Sequence, residues 1–116
     1  MTVQKILVVE DEPLIAMMIE DFLDMLGKSH AGTVDNVAEA LAMVEAGGID
    51  AAILDLNLRG GETSWPVAER LAQAGVPFIF ASGGLGERVD PPFDDRPVLP
   101  KPFTIDAVAK ALDSLG

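Results

Sequence analysis

The stretch AAILDLNLRGG, residues 51–61, runs four apolar residues into an aspartate and then leaves through Asn57 to Arg59, Gly60 and Gly61. DAAILDL (50–56) is nearly continuous in apolar residues, the pattern of a strand covered on both faces, as in a parallel sheet. That strand ends on a bare carboxylate, Asp55. Taken alone, Asp55 reads either as a turn or capping residue or as a carboxylate set at a strand's carboxyl end to do chemistry. The flanking chain decides between them.

Outward from this strand, short apolar runs alternate with amphipathic stretches. KILVV (5–9) reads as a buried strand. Pro13 stands where a helix starts, since its missing N–H costs nothing there. Leu14, Ile15, Met18, Ile19, Phe22, Leu23 and Leu26 follow at helical spacing, and Gly27 ends that helix. HAGTVD (30–35) is a weaker strand, Asn36 an N-cap, and VAEALAMVEAG (37–47) a second helix closed by Gly47 and Gly48. The methionines at 17, 18, 25 and 43 lie in these helices and read mostly as soft core filling. A third helix is expected over 63–74 with Pro66 in its first turn, followed by VPFIFAS (76–82) as the fourth strand. The glycines, prolines and charges of 82–97 leave room for one short helical turn at most. RPVLP (96–100) is a short fifth strand, and Thr104 caps a last helix over 105–115.

Five such units in 116 residues imply one α/β domain, a doubly wound parallel sheet with helices on both faces. Hydrophobic residues make up 49% of the chain, which excludes a disordered protein. No apolar run reaches the ~18–20 residues of a membrane span. MTVQKILVVEDE lacks the apolar stretch of a signal peptide. The chain has no cysteine, which excludes disulfides and thiolate metal sites, and a cytoplasmic protein is expected. The net charge is −11 with only 8 basic residues, which argues against nucleic-acid binding and favours cations or basic partner surfaces.

In doubly wound sheets, ligands bind outside the carboxyl ends of the strands. Those ends carry Glu10, Asp11 and Glu12 after strand one, and Asp55 and Asn57 after strand three. Ser82, Gly83 and Gly84 follow strand four, and Lys101 follows strand five. Carboxylates with no thiolate and no nearby imidazole suit a hard cation, and Mg²⁺ fits. An aspartate can accept a phosphoryl group as a nucleophile, while a lysine and a hydroxyl hold the phosphoryl oxygens.

These residues carry a resemblance. Over essentially its whole length the chain resembles the receiver domains of two-component response regulators. ILVVEDEP (6–13) is similar to the family's acidic pair, AAILDLNL (51–58) to its phosphoacceptor strand, FIFASGG (78–84) to its switch strand, and VLPKPF (98–103) to its lysine motif. Each motif is weak alone, and four in order are strong. The resemblance implies the flavodoxin-like strand order 2-1-3-4-5, which periodicity does not give. It implies Asp55 as phosphoacceptor and Mg²⁺ held by Asp11, Asp55 and the backbone carbonyl of Asn57, with Glu10 acting through water. It implies Ser82 as the switch hydroxyl, with Gly83 and Lys101 binding the phosphoryl group, and a cis bond before Pro102. Family members often carry an aromatic residue where this chain has Val98, an altered switch position with no ring to couple to the hydroxyl. PFIFASGG also resembles the signature PFxFATG of the single-domain group called FAT GUY regulators, which would make the shortened, irregular fourth-helix segment, 82–100, the part that is remodelled.

The implied function is phosphorelay. The chain takes a phosphoryl group from a histidine kinase or histidine phosphotransfer protein and then acts through an unspecified downstream protein or a phosphorylation-dependent dimer. It would catalyse nothing beyond its own phosphorylation and dephosphorylation. With no effector domain following, residues 1–116 read as a single receiver. A receiver-like module that docks a partner without being phosphorylated is the alternative, and Asp55, Lys101 and the acidic pair argue against it. An aspartate-nucleophile phosphatase expects a second acid two residues after the nucleophile, where Asn57 stands. Blander readings remain beside each assignment. Glu10 to Glu12 also fit a solvated helix start, Ser82 a turn and Lys101 an ordinary surface lysine. His30 reads as structural or exposed, and Trp65 as partly packed in the core.

Overall fold

KILVV forms β1, Lys5–Val9, with every residue after Lys5 buried. The computed structural model describes residues 5–55, 58, 63–82, 98–100 and 104–114. Helix α1, Pro13–Met25, opens on Pro13, and the chain turns out of it at Gly27, whose φ of +73° suits a residue without a side chain. β2 (Ser29–Val34) leads into α2 (Val37–Ala46), where the Asn36 side chain accepts from the Glu39 N–H at 2.8 Å. β3 (Ala51–Asp55), α3 (Trp65–Gln73), β4 (Phe78–Ser82), β5 (Val98–Pro100) and α4 (Ile105–Asp113) complete the described elements. Thr104 caps α4 by accepting from the Ala107 N–H at 3.1 Å.

The strands form one parallel sheet in the order β2-β1-β3-β4-β5, as the resemblance implies. Side chains alternate across it and separate the core into two layers. Leu7, Val9, Leu54, Phe78 and Phe80 pack beneath α2 and α3. Ile6, Val8, Ile53, Ile79 and Leu99 pack against α1 and α4 on the other face. Burying both faces of β3 explains why its sequence is continuously apolar. β2 is an edge strand with no fully buried residue, hence its weak apolar pattern. Its pairing with β1 slips at Ala31, since Ile6 faces His30 and Leu7 faces Gly32. At Gly32 a β-carbon would come within 2.8 Å of the Met43 methyl, so α2 lies close over this strand.

Some expectations need correction. Leu14, Met17 and Met25 are exposed and fill no core. α1 buries Ala16, Ile19 and Leu23. Each of the three exposed residues lies two positions from one of those, about 200° around the helix. Met18 and Met43 do pack against the core. The third helix starts at Trp65, two residues later than its pattern predicts, with Ser64 as its N-cap. Asn57, Gly83, Lys101, Pro102 and the irregular stretch expected between β4 and β5 lie outside the described residues. No helix among those described is long and apolar enough to cross a membrane.

Candidate functional site

The register of the sheet builds the site. Val9 pairs with Leu54, so the residues that follow each of them leave the sheet side by side. Glu10 is the first residue beyond β1 and Asp55 the last of β3, and they are 3% and 5% exposed. Asp11, half-buried, completes the group. One carboxylate oxygen from each of Glu10, Asp11 and Asp55 lies within 4.8 Å of the others.

The exit of β1 is fixed from two sides. The Glu10 N–H donates to the Val34 carbonyl at 3.0 Å, which ties it to the end of β2. The Glu10 carboxylate accepts from the Glu12 N–H at 3.1 Å, which folds the loop back on itself just before Pro13 begins α1. Three carboxylates held this close are costly when all are ionised, unless positive charge lies among them. The donors are all oxygen, which suits a hard divalent cation that keeps part of its water shell, as Mg²⁺ does.

A hollow of about 450 Å³ opens beside the cluster, lined by Glu10, Asp11, Pro13, Thr33, Val34, Asp35 and Glu39. Sequence reading did not include Thr33, Asp35 or Glu39 in the site. The strand order carried the signal, because β2 neighbours β1 and its carboxyl end must stand on the same edge.

Ser82 closes β4 opposite Pro100, one residue beyond the pairing of Asp55 with Ala81, so its backbone stands on the edge that carries Asp55. Val98 pairs with Phe80 and is 44% exposed. His30 stands apart, on the α1–β2 surface. The Thr33 hydroxyl donates to Glu20 at 2.7 Å, and the His30 ring touches that hydroxyl and lies 3.8 Å from the same carboxylate. Trp65 is half-buried, its ring edge-on to Phe80 with centroids 5.4 Å apart. An ion pair also lies away from this edge. Between α2 and α3 the Arg70 guanidinium donates to Glu45, holding that carboxyl below its ordinary value and itself above its own.

The structure therefore brings Glu10, Asp11 and Asp55 together and sets the backbone of Ser82 on the same edge. Comparison with known proteins gives the same direction. The family model "Response regulator receiver domain" matches residues 6–87. The transcriptional regulatory protein TcrA of Mycobacterium tuberculosis is 35% identical over 97% of this chain, which spans 46% of that protein. The chain thus covers about half the length of the curated relative it matches. The solution structure of SdrG from Sphingomonas melonis Fr1 superposes with a TM-score of 0.90 at 67% identity, covering 97% of this chain and 96% of that one. A BeF3-activated conformation of SdrG from Pseudomonas melonis Fr1 gives a TM-score of 0.85 at 67% identity, over 98% of this chain and 97% of that one. Sequence match, sheet order and the acids at the sheet's edge agree, and the chain belongs to the response regulator receiver domain family of two-component signalling.

Proposed function

We propose that this chain is a phosphorelay switch. Asp55 accepts a phosphoryl group from phosphohistidine on a histidine kinase or histidine phosphotransfer protein, and the modified chain changes its contacts with a downstream protein. The observation that carries this reading is the meeting of Glu10, Asp11 and Asp55 at the carboxyl edge of the sheet, two of them buried.

In the proposed step an Asp55 oxygen attacks phosphorus. The new O–P bond forms as the P–N bond to the donor imidazole breaks, and the imidazole keeps that electron pair and takes a proton from solvent. Asp55 is suited to the step because β3 fixes it at the end of a rigid, buried strand. Asp11, Asp55 and the Asn57 carbonyl would hold Mg²⁺, with Glu10 reaching it through water, and Mg²⁺ when bound supplies positive charge for the phosphoryl oxygens. Glu10 is positioned for its part by the Glu12 amide. The Ser82 hydroxyl, the Gly83 N–H and the Lys101 ammonium bind the remaining oxygens. New charge on Asp55 draws Ser82 and Lys101 inward, and the segment 82–100, with Val98 in place of an aromatic, carries the change to a partner-binding face. Residues 1–116 act in this reading as one receiver unit that assists only its own phosphorylation and dephosphorylation.

The test is transfer of a labelled phosphoryl group from a phosphorylated histidine kinase or histidine phosphotransfer domain. Wild type takes up label and Asp55→Asn takes up none while remaining folded by circular dichroism. Uptake by Asp55→Asn at the wild-type rate overturns the assignment.

A further inference from the structure

We propose that the first turn of α3, Ser64 and Trp65, is a two-position element that moves when Asp55 is phosphorylated. This rests on the phosphorelay reading and extends it to a buried hydroxyl that reading does not use. The other capped helices show the usual arrangement. Asn36 and Thr104 stand in extended backbone, and each accepts the N–H of the third residue that follows. Ser64 is a residue of the same capping type at the start of α3, yet its backbone, with φ −86° and ψ 6°, is not extended and its side chain caps nothing. The side chain is fully buried, and its Oγ has no hydrogen-bond partner among the described residues.

A buried hydroxyl left unpaired penalises the state that contains it. A rotation of Ser64 into extended backbone would let Oγ accept from the Val67 N–H. Pro66 carries no N–H, so Val67 is the natural donor. Trp65 follows directly, so in the proposed switch the turn of the Ser64 backbone is taken up on the helix side and carries its ring. Its ring meets Phe80 edge-on, and Phe80 meets Phe78 in the same way, both at 5.4 Å. Phe80 precedes Ser82 by two residues in β4, the strand that pairs with Asp55. Val98, on the opposite side of Phe80 in the sheet, brings no ring. Among the described residues, Phe80 meets the rings of Trp65 on α3 and Phe78 in β4. The uncapped turn, Trp65 and Phe80 form a continuous path to the edge that holds Asp55.

The chain has a single tryptophan, so fluorescence reads position 65 alone. The experiment titrates the whole chain in Mg²⁺ with beryllofluoride, following Trp65 emission, while intact mass after acetyl phosphate treatment reports modification. Wild type shows a phosphoryl gain and a shift in emission. Ser64→Ala raises the resting melting midpoint, still takes up the phosphoryl group, and binds beryllofluoride about fivefold more weakly, the effect of one lost cap. Ser64→Thr, which can still cap, restores the wild-type affinity. Phosphoryl uptake with unchanged Trp65 emission overturns this inference and leaves the phosphorelay reading standing, and so does wild-type affinity in Ser64→Ala. Should Ser64→Ala fail to fold, the wild-type emission alone decides. No uptake and no beryllofluoride binding overturn both.

Discussion

Glu10 is held from behind. Its carboxylate accepts from the Glu12 N–H, and it contributes an oxygen to the group with Asp11 and Asp55. Asp11 is the more open member, which suits a direct ligand for an incoming cation. Mg²⁺ at a hundredfold excess over its Kd should stabilise the wild type by about 2.7 kcal/mol. Asp11→Asn should lose most of that gain at the same concentration, read as melting midpoints with Mg²⁺ and with a chelator. An equal gain in the variant would remove Asp11 from the ligand set. Glu10, Asp11 and Asp55 were legible in the sequence because each ends or follows a strongly apolar strand, whose position the pattern gives well. The exposure of Leu14, Met17 and Met25 was not legible. Apolar residues stand side by side through most of α1, and only the sheet decides which stripe turns inward. That the Ser64 hydroxyl finds no partner among the described residues is likewise a property of backbone geometry, which residue type does not reveal.

Among the elements, the helix starts carry separable contributions. Asn36→Ala and Thr104→Ala should each cost about 1 kcal/mol in denaturant unfolding, since each removes a formed side-chain cap. A cost near zero would mean that water replaces the cap. The Glu45–Arg70 pair joins α2 to α3 and gives a pH prediction. The hydrogen bond from Arg70, then its charge, holds the Glu45 carboxyl below its ordinary value. A depressed folded value means that the stabilisation is present above the unfolded value of 4.5 and is lost as pH falls through the folded one. Glu45→Gln should therefore flatten the acid limb of the melting curve slightly and leave its shape above pH 6 unchanged. The effect is small because the pair is solvent-exposed. A steeper acid limb in Glu45→Gln would contradict the sign. At this scale the sequence was read well where caps were explicit, at Asn36 and Thr104. It was read less well at the start of α3, where Thr63 and Ser64 precede the helix, and in β2, which buries too little to show a period.

The whole molecule follows from one alternation, odd positions of β1 to one core layer and even positions to the other. The parallel pairing of the strands places their carboxyl ends on one edge, and the order β2-β1-β3-β4-β5 sets β1 and β3 side by side, bringing the acids together. Periodicity foretold the layers, whereas the strand order came from resemblance, because nothing in a strand's own residues names its neighbour. Phe80 sits in one layer against Phe78 and Trp65, so Phe80→Ala should cost about 3–5 kcal/mol in urea unfolding. A much smaller loss would mean that the layer collapses around the gap. The central claim concerns Asp55, and intact mass of the whole chain after incubation with acetyl phosphate, with and without Mg²⁺ and beside Asp55→Asn, tests it most directly. The account predicts a Mg²⁺-dependent gain of one phosphoryl group in wild type and none in the variant. An equal gain in Asp55→Asn would contradict it.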